Sequence, residues 1–498
     1  MAHKTNPFSP RQTPLHIAMI APEIAPFART GGLGDVIGTL PQVLESLGIK
    51  LTLIMPAYRS VLKGGFKIEN ADIRFSIPIS NRIEKGTTLK GRVGNSISIY
   101  FIRCDKYFDR DELYATSTGD YPDNAERFIF FSRAALEILK HDPPSIIHAH
   151  DWQAALSIAF LRLLPELYPD LSEVKTVFTI HNLGYQGVFW NLDWHLLNLD
   201  WKFFNSKYLE FYNKINFLKG AAALADYVTT VSPTYAQEIK TSEQGFGLEG
   251  IFQEKGDRLK GILNGIDYNI WDPKADINIV RNYTIDDLTG KRACKTDLQK
   301  TFGLEENSSV PIIGMVARLT SQKGFDLVAA AMNDLMKKNV QFIILGYGEK
   351  HYQEIFEKMK TRYPRRFDIE LAFDFSSEHK IVAGADIMLV PSRYEPCGLT
   401  QMHALRYGTI PLVRETGGLK DTVNEFDPEK GTGNGFLFKA NEIPDFLDAV
   451  DEALSVYKQK KLWELLIKNG MKEDHSWEKS AKAYKQLYEN ITQATDRK

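Results

Sequence analysis

The sequence contains few cysteines. Only Cys104, Cys294 and Cys397 occur among 498 residues; they form no CxxC pair and lie far apart along the chain. This pattern indicates neither a disulfide framework nor a zinc cluster. It is typical of a protein in a reducing compartment, so we expect the cytoplasm. Residues 1–14 show no targeting signal that would place the protein elsewhere.

Long hydrophobic runs and an excess of charge are also missing. No window approaches the ~18 apolar residues that span a bilayer, and residues 1–14 contain no stretch like a signal peptide. The 61 basic and 63 acidic residues give a net charge of −2, which offers no electrostatic reason for a polyanionic partner. We therefore expect neither a membrane nor a nucleic acid among the partners.

Two nucleotide-binding signatures are absent as well. No GxxxxGK[ST] occurs, so a P-loop NTPase is not supported. The glycine pairs at 32 and 34 and at 346 and 348 both fail G-x-G-x-x-G, because position 37 is Ile and position 351 is His. A dinucleotide site is therefore only weakly indicated.

Short apolar runs alternate with amphipathic stretches along most of the chain. We predict strands at 15–21, 51–55, 146–150, 177–181, 227–231, 312–316, 342–345, 369–373, 387–390 and 411–413. We predict helices at 32–47, 325–337, 352–362, 378–383 and 399–406. This alternation is typical of βαβ units around parallel sheets. The strand-rich stretch 73–102 predicts an antiparallel insertion.

The alternation restarts near residue 310, which predicts two doubly wound α/β domains. The composition of 265–273 (GIDYNIWDP) predicts a linker. The tail from Ser476 is predicted to be a helix that carries Trp477, Ala481, Tyr484 and Leu487 on one face. Doubly wound domains bind ligands at the carboxyl ends of their strands. If those ends face each other, the substrate lies in a cleft between the domains.

Two loops of the second half carry candidate ligand-binding groups. Arg318 and Lys323 follow the predicted strand 312–316, where two cations suit a diphosphate, although solvated surface cations remain the alternative. In the loop 391–400 (PSRYEPCGLT), Glu395 can accept hydrogen bonds from sugar hydroxyls, and the helix start at Gly398-Leu399-Thr400 can bind a phosphate. The alternative for Glu395 is a carboxylate that only complements the helix dipole.

The first half places polar groups at strand ends. His148 and His150 point the same way from a strand, but no further ligand pattern supports a metal site. Asp151, His181 and Asn182 stand where a sugar is expected to lie. In the loop 28–35 (ARTGGLGD), glycine amides and a helix N-terminus can approach an anion; a tight turn is the alternative.

Seven segments together resemble the signature segments of bacterial glycogen synthases and plant starch synthases. They are RTGGLGDV at 29–36, HAHDWQAAL at 148–156, TIHNLGYQG at 179–187, LNGIDYNIWDP at 263–273, ARLTSQKGFDL at 317–327, PSRYEPCGLTQ at 391–401 and TGGLKDTV at 416–423. Each segment alone is a weak signal. Seven in the family's order are a strong one.

The resemblance implies a GT-B fold and a glucosyltransferase. Its donor would be ADP-glucose. Its acceptor would be the non-reducing end of an α-1,4-glucan, as in glycogen, starch or malto-oligosaccharides. The transfer would retain the anomeric configuration and would require no metal or other cofactor. It implies an acceptor-side domain at 1–265, a nucleotide-sugar domain at 266–475 and a helix at 476–498 that crosses back to the first domain. The alternatives are a glucan-binding or priming paralogue with weak activity and a transferase that uses UDP-glucose. Within the family, a bacterial cytoplasm is expected rather than a plastid, because no transit peptide is visible in this chain.

The resemblance also assigns site residues. The catalytic candidates are Glu395, His181, Asp151, Arg318 and Lys323. The candidates for binding donor and acceptor are Arg29, Gly31, Gly32, Asp35, Asn182, Asn264, Phe373, Cys397, Gly398, Leu399 and Thr400, with Phe373 expected to stack on adenine. For Asn264, turn chemistry is the alternative, and for Cys397 a small buried side chain.

The chain departs from the family pattern at two positions. Arg29 stands where the family motif usually has Lys, which keeps the charge and alters the geometry. His403 follows Glu395 where some related retaining enzymes have a second Glu, so we assign only one carboxylate of that pair.

Overall fold

The structure, a computed structural model, describes residues 15–116, 119–372 and 374–493. The chain divides into two compact units. The first comprises Met1–Thr229, Glu254–Arg258 and Ala481–Lys498, and the second Thr230–Gln253 and Leu259–Ser480. Each unit is described by itself.

The first unit is built on a mixed sheet whose central strands are parallel. Its strands run in the spatial order Tyr227–Thr230, Lys175–Ile180, Ile146–His150, His16–Ile20, Lys50–Pro56, Ile97–Arg103, Arg82–Val93 and Glu69–Ile79. All residues of His16–Ile20 and of Ile146–His150 are buried, as expected for parallel strands covered on both faces. The chain order reverses between these two strands, so the switch point where doubly wound sheets bind ligands lies there.

The elements around this sheet include helices and two small sheets. The helices are Gly32–Ser46, Arg59–Lys63, Asp105–Phe108, Asn124–Leu139, Asp151–Leu163, Phe217–Leu224 and Trp477–Gln493, the last of which enters the unit at Ala481. The small strands are Ala115–Thr116 with Gly119–Asp120, and Val188–Trp190 with Lys214–Asn216 and Glu210–Phe211. Short 3-10 helices lie at Pro165–Leu167, Pro169–Leu171, Asn191–Leu197, Trp201–Phe203 and Gly256–Arg258.

The second unit contains a sheet of six parallel strands. Their spatial order is Phe367–Glu370, Gln341–Leu345, Ile312–Val316, Ile387–Val390, Ile410–Arg414 and Phe436–Phe438. The helices that accompany it are Pro233–Glu238, Glu249–Lys255, Thr289–Thr301, Phe325–Leu335, Lys350–Arg362, Phe375–Gly384, Thr400–Arg406, Gly417–Thr422, Ile443–Tyr457 and Lys460–Lys472, with a 3-10 turn at Ser321–Lys323. The short strand Leu259–Gly261 also falls in this unit but is not part of the six-stranded sheet. The switch point lies between Ile312–Val316 and Ile387–Val390.

Most predicted elements are confirmed within one or two residues. The stretch 73–102 is confirmed as antiparallel strands, which extend the first sheet. On the C-terminal helix, Trp477, Ala481, Tyr484 and Leu487 are buried, which confirms the predicted face.

Three predictions need correction or fall outside the description. The strand predicted at 369–373 lies at Phe367–Glu370, and Phe373 is outside the described residues. The linker predicted at 265–273 instead packs within the second unit. Its Trp271 is sandwiched between the rings of His379 and His403, with centroids 3.9 and 3.7 Å away.

Candidate active site

The switch point of the second unit brings Lys323 and Glu395 together. Lys323 Nζ donates to Glu395 Oε2 at 2.6 Å, and Ser392 Oγ donates to the same oxygen at 2.9 Å. The Glu395 side chain is only 6% exposed and that of Lys323 23%. A buried carboxylate needs such a partner, because an unpaired buried charge is strongly unfavourable. The ammonium has three donors, so this pairing leaves two for a ligand.

Close backbone contacts fix the loop that carries Glu395. Gly417 has φ +45°, and a Cβ there would collide with the carbonyl oxygen of Glu395. The amide of Gly418 donates to that same oxygen at 3.0 Å. Gly324 has φ +80° and lies against the carbonyl of Pro391 in the same way, which joins the Lys323 loop to the Glu395 loop. Glycine is required at both positions because no side chain fits.

Other predicted residues of the second unit differ in their surroundings. Arg318 is exposed at the strand end, and no hydrogen bond or ion pair engages its guanidinium in the described part of the chain. Burial raises the pKa of the Cys397 thiol to about 12, so the thiol stays neutral and is a poor nucleophile. Asn264 is buried with an Oδ1 atom that accepts no hydrogen bond from the described residues.

The helix Thr400–Arg406 begins directly after Gly398 and Leu399, and Gly398, Leu399 and Thr400 are each partly shielded from solvent. Gln401 Nε2 donates to the carbonyls of Cys397 and Gly398 at 3.1 and 3.0 Å and to Thr422 Oγ1 at 3.1 Å. These bonds hold the end of the loop in place. Sequence reasoning did not single out Gln401, because its partners are set by tertiary packing.

In the first unit, Glu23 shapes the glycine loop. Its carboxylate accepts from the Thr30 amide at 2.5 Å, the Thr30 hydroxyl at 2.6 Å and the Tyr114 hydroxyl at 2.7 Å. Gly31 precedes the helix Gly32–Ser46, and no side chain caps this N-terminus. Sequence analysis missed Glu23 and Tyr114, since 91 residues separate the two partners.

Arg29 pairs with Asp35 in the same loop. The Nε atom lies 3.1 Å from Asp35 Oδ1, and the Arg29 side chain is half exposed. The ion pair joins the loop to the first turn of the helix Gly32–Ser46, and the guanidinium stays accessible to solvent.

Asp151 has an unusual backbone and an unusual carboxyl. Its φ is +55°, a left-handed conformation at the junction of Ile146–His150 with the helix Asp151–Leu163. Non-glycine residues rarely adopt this conformation, and active sites are one of the places where such residues are enriched. Its Oδ1 accepts from the His181 amide at 2.7 Å. Burial raises the pKa of this carboxyl to about 7, against the lowering effect of hydrogen bonds from the amides of His181 and Asn182.

Three histidines lie side by side next to Asp151. The His148 and His150 rings are 4.0 Å apart, and the His150 and His181 rings 5.3 Å. Asn182 Oδ1 accepts from the Gly184 amide at 2.9 Å, which closes a local turn. In the described ranges, no group of three or more His, Cys, Asp and Glu side chains is arranged to hold a metal ion.

Comparison with known proteins identifies the family. Residues 16–254 match the family model described as starch synthase catalytic domain, and residues 298–473 match that of glycosyl transferases group 1. A curated glycogen synthase from Koribacter versatilis is 44% identical over 483 residues, covering 96% of this chain and 99% of the relative.

The chain belongs to the glycogen and starch synthase family.

Further relatives of this family agree. The glycogen synthase of Pseudothermotoga lettingae is 44% identical over 95% of this chain and 98% of its own. The solved catalytic domain of Starch Synthase IV from Arabidopsis thaliana, bound to ADP and acarbose, superposes with a TM-score of 0.87 at 33% identity, covering 97% of this chain and 100% of that one. A sucrose-phosphate synthase structure from Thermosynechococcus elongatus, at 16% identity and TM-score 0.58, shares the fold.

These findings confirm the predicted family, the GT-B fold and the glycogen or starch synthase function. The enzyme is a glycosyltransferase with a nucleotide sugar and a glucan as its substrates. Within the described ranges, no helix combines the length and apolar character that a membrane crossing requires.

Arg29, where this family member departs from the usual Lys, gives a graded prediction. We expect Arg29→Lys to keep substantial activity and Arg29→Ala to lower kcat/KM roughly 10- to 1,000-fold, because a cation here can bind a donor phosphate. Both variants are assayed with ADP-glucose and glycogen. Arg103→Ala is the control, since its side chain is 45% exposed against 50% for Arg29 and also pairs with a nearby Asp.

Two outcomes would contradict this expectation. Wild-type kinetics in Arg29→Ala would mean that Arg29 is a solvated surface cation of the loop and no part of the donor site. An inactive wild-type chain that Arg29→Lys activates would identify Arg29 as an inactivating substitution, and would favour a glucan-binding paralogue.

Proposed function

We propose that this synthase transfers glucose from ADP-glucose to the non-reducing end of an α-1,4-glucan, with retention of configuration and without a metal ion. The observation that carries the proposal is the buried Lys323–Glu395 pair at the switch point of the second sheet. The Arabidopsis relative bound to ADP and acarbose supports an adenine nucleotide and a glucan-like sugar as ligands.

In this proposal the second unit binds the donor. Arg318 and the free donors of Lys323 neutralise the diphosphate as it leaves, assisted by the amides at Gly398, Leu399 and Thr400. Fixed donors of this kind stabilise developing charge without reorganisation during the reaction. Glu395 orients Lys323 and accepts from sugar hydroxyls through its remaining lone pairs. Phe373 and Asn264 contribute to the nucleotide and sugar contacts.

In the same proposal the first unit contacts the reacting glucose. Asp151 and His181 are joined through a 2.7 Å hydrogen bond, and both lie at strand ends of one sheet. Asn182 adds a polar contact, while the loop of Arg29, Gly31, Gly32 and Asp35 offers amides and a cation to the phosphates.

We propose same-face attack, in which the leaving phosphate helps to deprotonate the acceptor hydroxyl. A double displacement requires two carboxylates about 5–5.5 Å apart. His403, at the position of the second Glu in related enzymes, stacks on Trp271 with centroids 3.7 Å apart and supplies no carboxylate. The arrangement around Glu395 therefore favours a single displacement with retention.

A bacterial cytoplasmic location completes the proposal. The three cysteines are free and buried, and curated glycogen synthases of bacteria cover nearly the whole chain.

The donor test decides the nucleotide. We expect a higher kcat/KM with ADP-glucose than with UDP-glucose, because aromatic stacking on a base contributes roughly 1–3 kcal/mol and a purine offers the larger surface. Glucose incorporation into glycogen is measured with both donors under matched conditions. Equal use or a preference for UDP-glucose would refute the donor assignment. No incorporation from either donor would refute the synthase activity and favour the glucan-binding paralogue.

A chelator test decides the cofactor. We expect full activity in excess EDTA, because cationic side chains and helix amides supply the charge that a metal otherwise provides. Initial rates are compared before and after chelation. Turnover that is lost in EDTA and returns with Mg²⁺ or Mn²⁺ would contradict the metal-free mechanism.

A further inference from the structure

His181 is held in place from two directions. Its backbone amide donates to Asp151 Oδ1 at 2.7 Å, and its ring Nε2 lies 3.1 Å from Nδ1 of His150. No hydrogen bond in the described part of the chain reaches its Nδ1 atom, and the residue is only partly buried. Nδ1 is therefore the ring atom of His181 that remains for a ligand.

The three neighbouring histidines are neutral at physiological pH. Burial lowers the pKa of His148 and His181 to about 3 and that of His150 well below its ordinary value. A neutral imidazole has one N–H donor and one bare acceptor nitrogen. In the His150–His181 contact, one nitrogen therefore carries a proton and donates the hydrogen bond, and the other accepts that bond.

The surroundings of His150 decide which nitrogen donates. Its Nε2 is buried and has no hydrogen-bond partner among the described residues. A buried N–H without a partner is rarer in proteins than an unsatisfied acceptor. The proton of His150 is therefore on Nδ1, and this N–H donates a hydrogen bond to Nε2 of His181.

His148 offers no alternative partner to this pair. Its Nδ1 bonds the Tyr488 hydroxyl at 2.8 Å, and its Nε2 bonds the Thr179 hydroxyl at 2.5 Å. Both of its ring nitrogens are thus satisfied away from His181, and its contact with His150 is a tilted ring contact with an interplanar angle of 37°.

We propose that His150 is a positioning residue for the transfer reaction: its Nδ1–H fixes His181 as the Nδ1–H tautomer, which donates a hydrogen bond to an oxygen of the sugar. The opposite tautomer would present a bare nitrogen to the sugar and lose that bond. This inference deepens the proposed function, because it rests on contact between His181 and the sugar.

Two amide substitutions of similar polarity test the proposal. In His150→Asn the amide nitrogen can take the place of Nδ1, whereas in His150→Gln it falls nearer to Nε2. We expect His150→Gln to lower kcat about 10- to 100-fold with little change in KM, and His150→Asn to retain at least tenfold more activity than His150→Gln. Melting temperatures establish that both variants fold.

A spectroscopic measurement separates this inference from the role of His181 itself. In the long-range ¹H–¹⁵N spectrum of ¹⁵N-histidine-labelled protein, we expect the proton of His181 on Nδ1 in the wild type and in His150→Asn, and a changed tautomer population in His150→Gln. Tyr488→Phe is the control: it removes a partner of His148 and should leave the kcat and the tautomer of His181 unchanged.

Each result has a defined meaning. The positioning role would be overturned if the wild-type spectrum placed the proton of His181 on Nε2. It would also be overturned if His150→Asn and His150→Gln were equally active. If the wild-type spectrum shows the proton of His181 on Nδ1 but His181→Ala keeps wild-type activity, the proposed contact between His181 and the sugar is refuted instead.

Discussion

Lys323→Ala is expected to lower kcat about 100-fold or more and to destabilise the protein. The kinetic loss follows because removal of a preorganised donor to a charged leaving group costs about 2.7 kcal/mol or more. The loss of stability follows because Glu395, only 6% exposed, loses the ammonium 2.6 Å from its carboxylate. Steady-state kinetics with ADP-glucose and thermal unfolding measure the two effects separately.

Lys338→Ala is the matched control for this substitution. The Lys338 side chain is 21% exposed, against 23% for Lys323, and it also pairs with a carboxylate at 2.6 Å, but that partner, Asp451, is 59% exposed. We expect near wild-type turnover and only a small change in stability. If Lys323→Ala folds and keeps the wild-type kcat, Lys323 serves only as a structural counter-ion of Glu395.

Arg318→Ala is expected to lower kcat by a similar factor, about 100-fold or more, without loss of stability. Arg318 is exposed and has no partner in the described ranges, so its removal breaks no interaction of the free enzyme. Its guanidinium is expected to act only when the diphosphate develops charge. Parallel measurement of kcat and melting temperature therefore separates the two residues: Arg318→Ala should lower kcat alone, whereas Lys323→Ala should lower both kcat and the melting temperature.

Arg362→Ala is the matched control for Arg318. Arg362 is another exposed arginine of the second unit, and among the described residues its guanidinium bonds Asn333 and lies over the neighbouring Tyr363 ring. Its removal should change neither kcat nor the melting temperature. If Arg318→Ala behaves like Arg362→Ala, the charge at 318 belongs to the solvated surface.

The sheets could be predicted from the sequence because their strands are continuous apolar runs. Ile146–His150, Ile312–Val316 and Ile387–Val390 coincide with their predicted bounds. Strands that are buried on both faces consist mostly of apolar residues, so they can be recognised in the sequence. The loops after them can be recognised by their glycines and charged residues. Phe367–Glu370 was harder to place, because its Asp and Glu interrupt the apolar pattern and the following Leu and Ala extend it.

The pairings inside the site could not be predicted in the same way. Lys323 and Glu395 were each found from their loop, but their 2.6 Å contact depends on two strands being neighbours in space. The bonds of Glu23 to Thr30 and Tyr114 depend likewise on tertiary packing, and so does the stacking of Trp271 between two histidines. Local sequence specifies which groups are near strand ends, but not which atoms meet.

The path of the chain through its two units has a consequence for synthesis on the ribosome. Residues from Ala481 onward belong to the first unit, yet they follow the whole of the second in sequence. Tyr484 and Tyr488 are fully buried there, and the Tyr488 hydroxyl bonds His148. The first unit therefore cannot finish folding while the second is being made, although domains generally fold in order of emergence. Until then its apolar surface around His148 stays uncovered, so a nascent chain stalled before residue 481 should be a chaperone substrate.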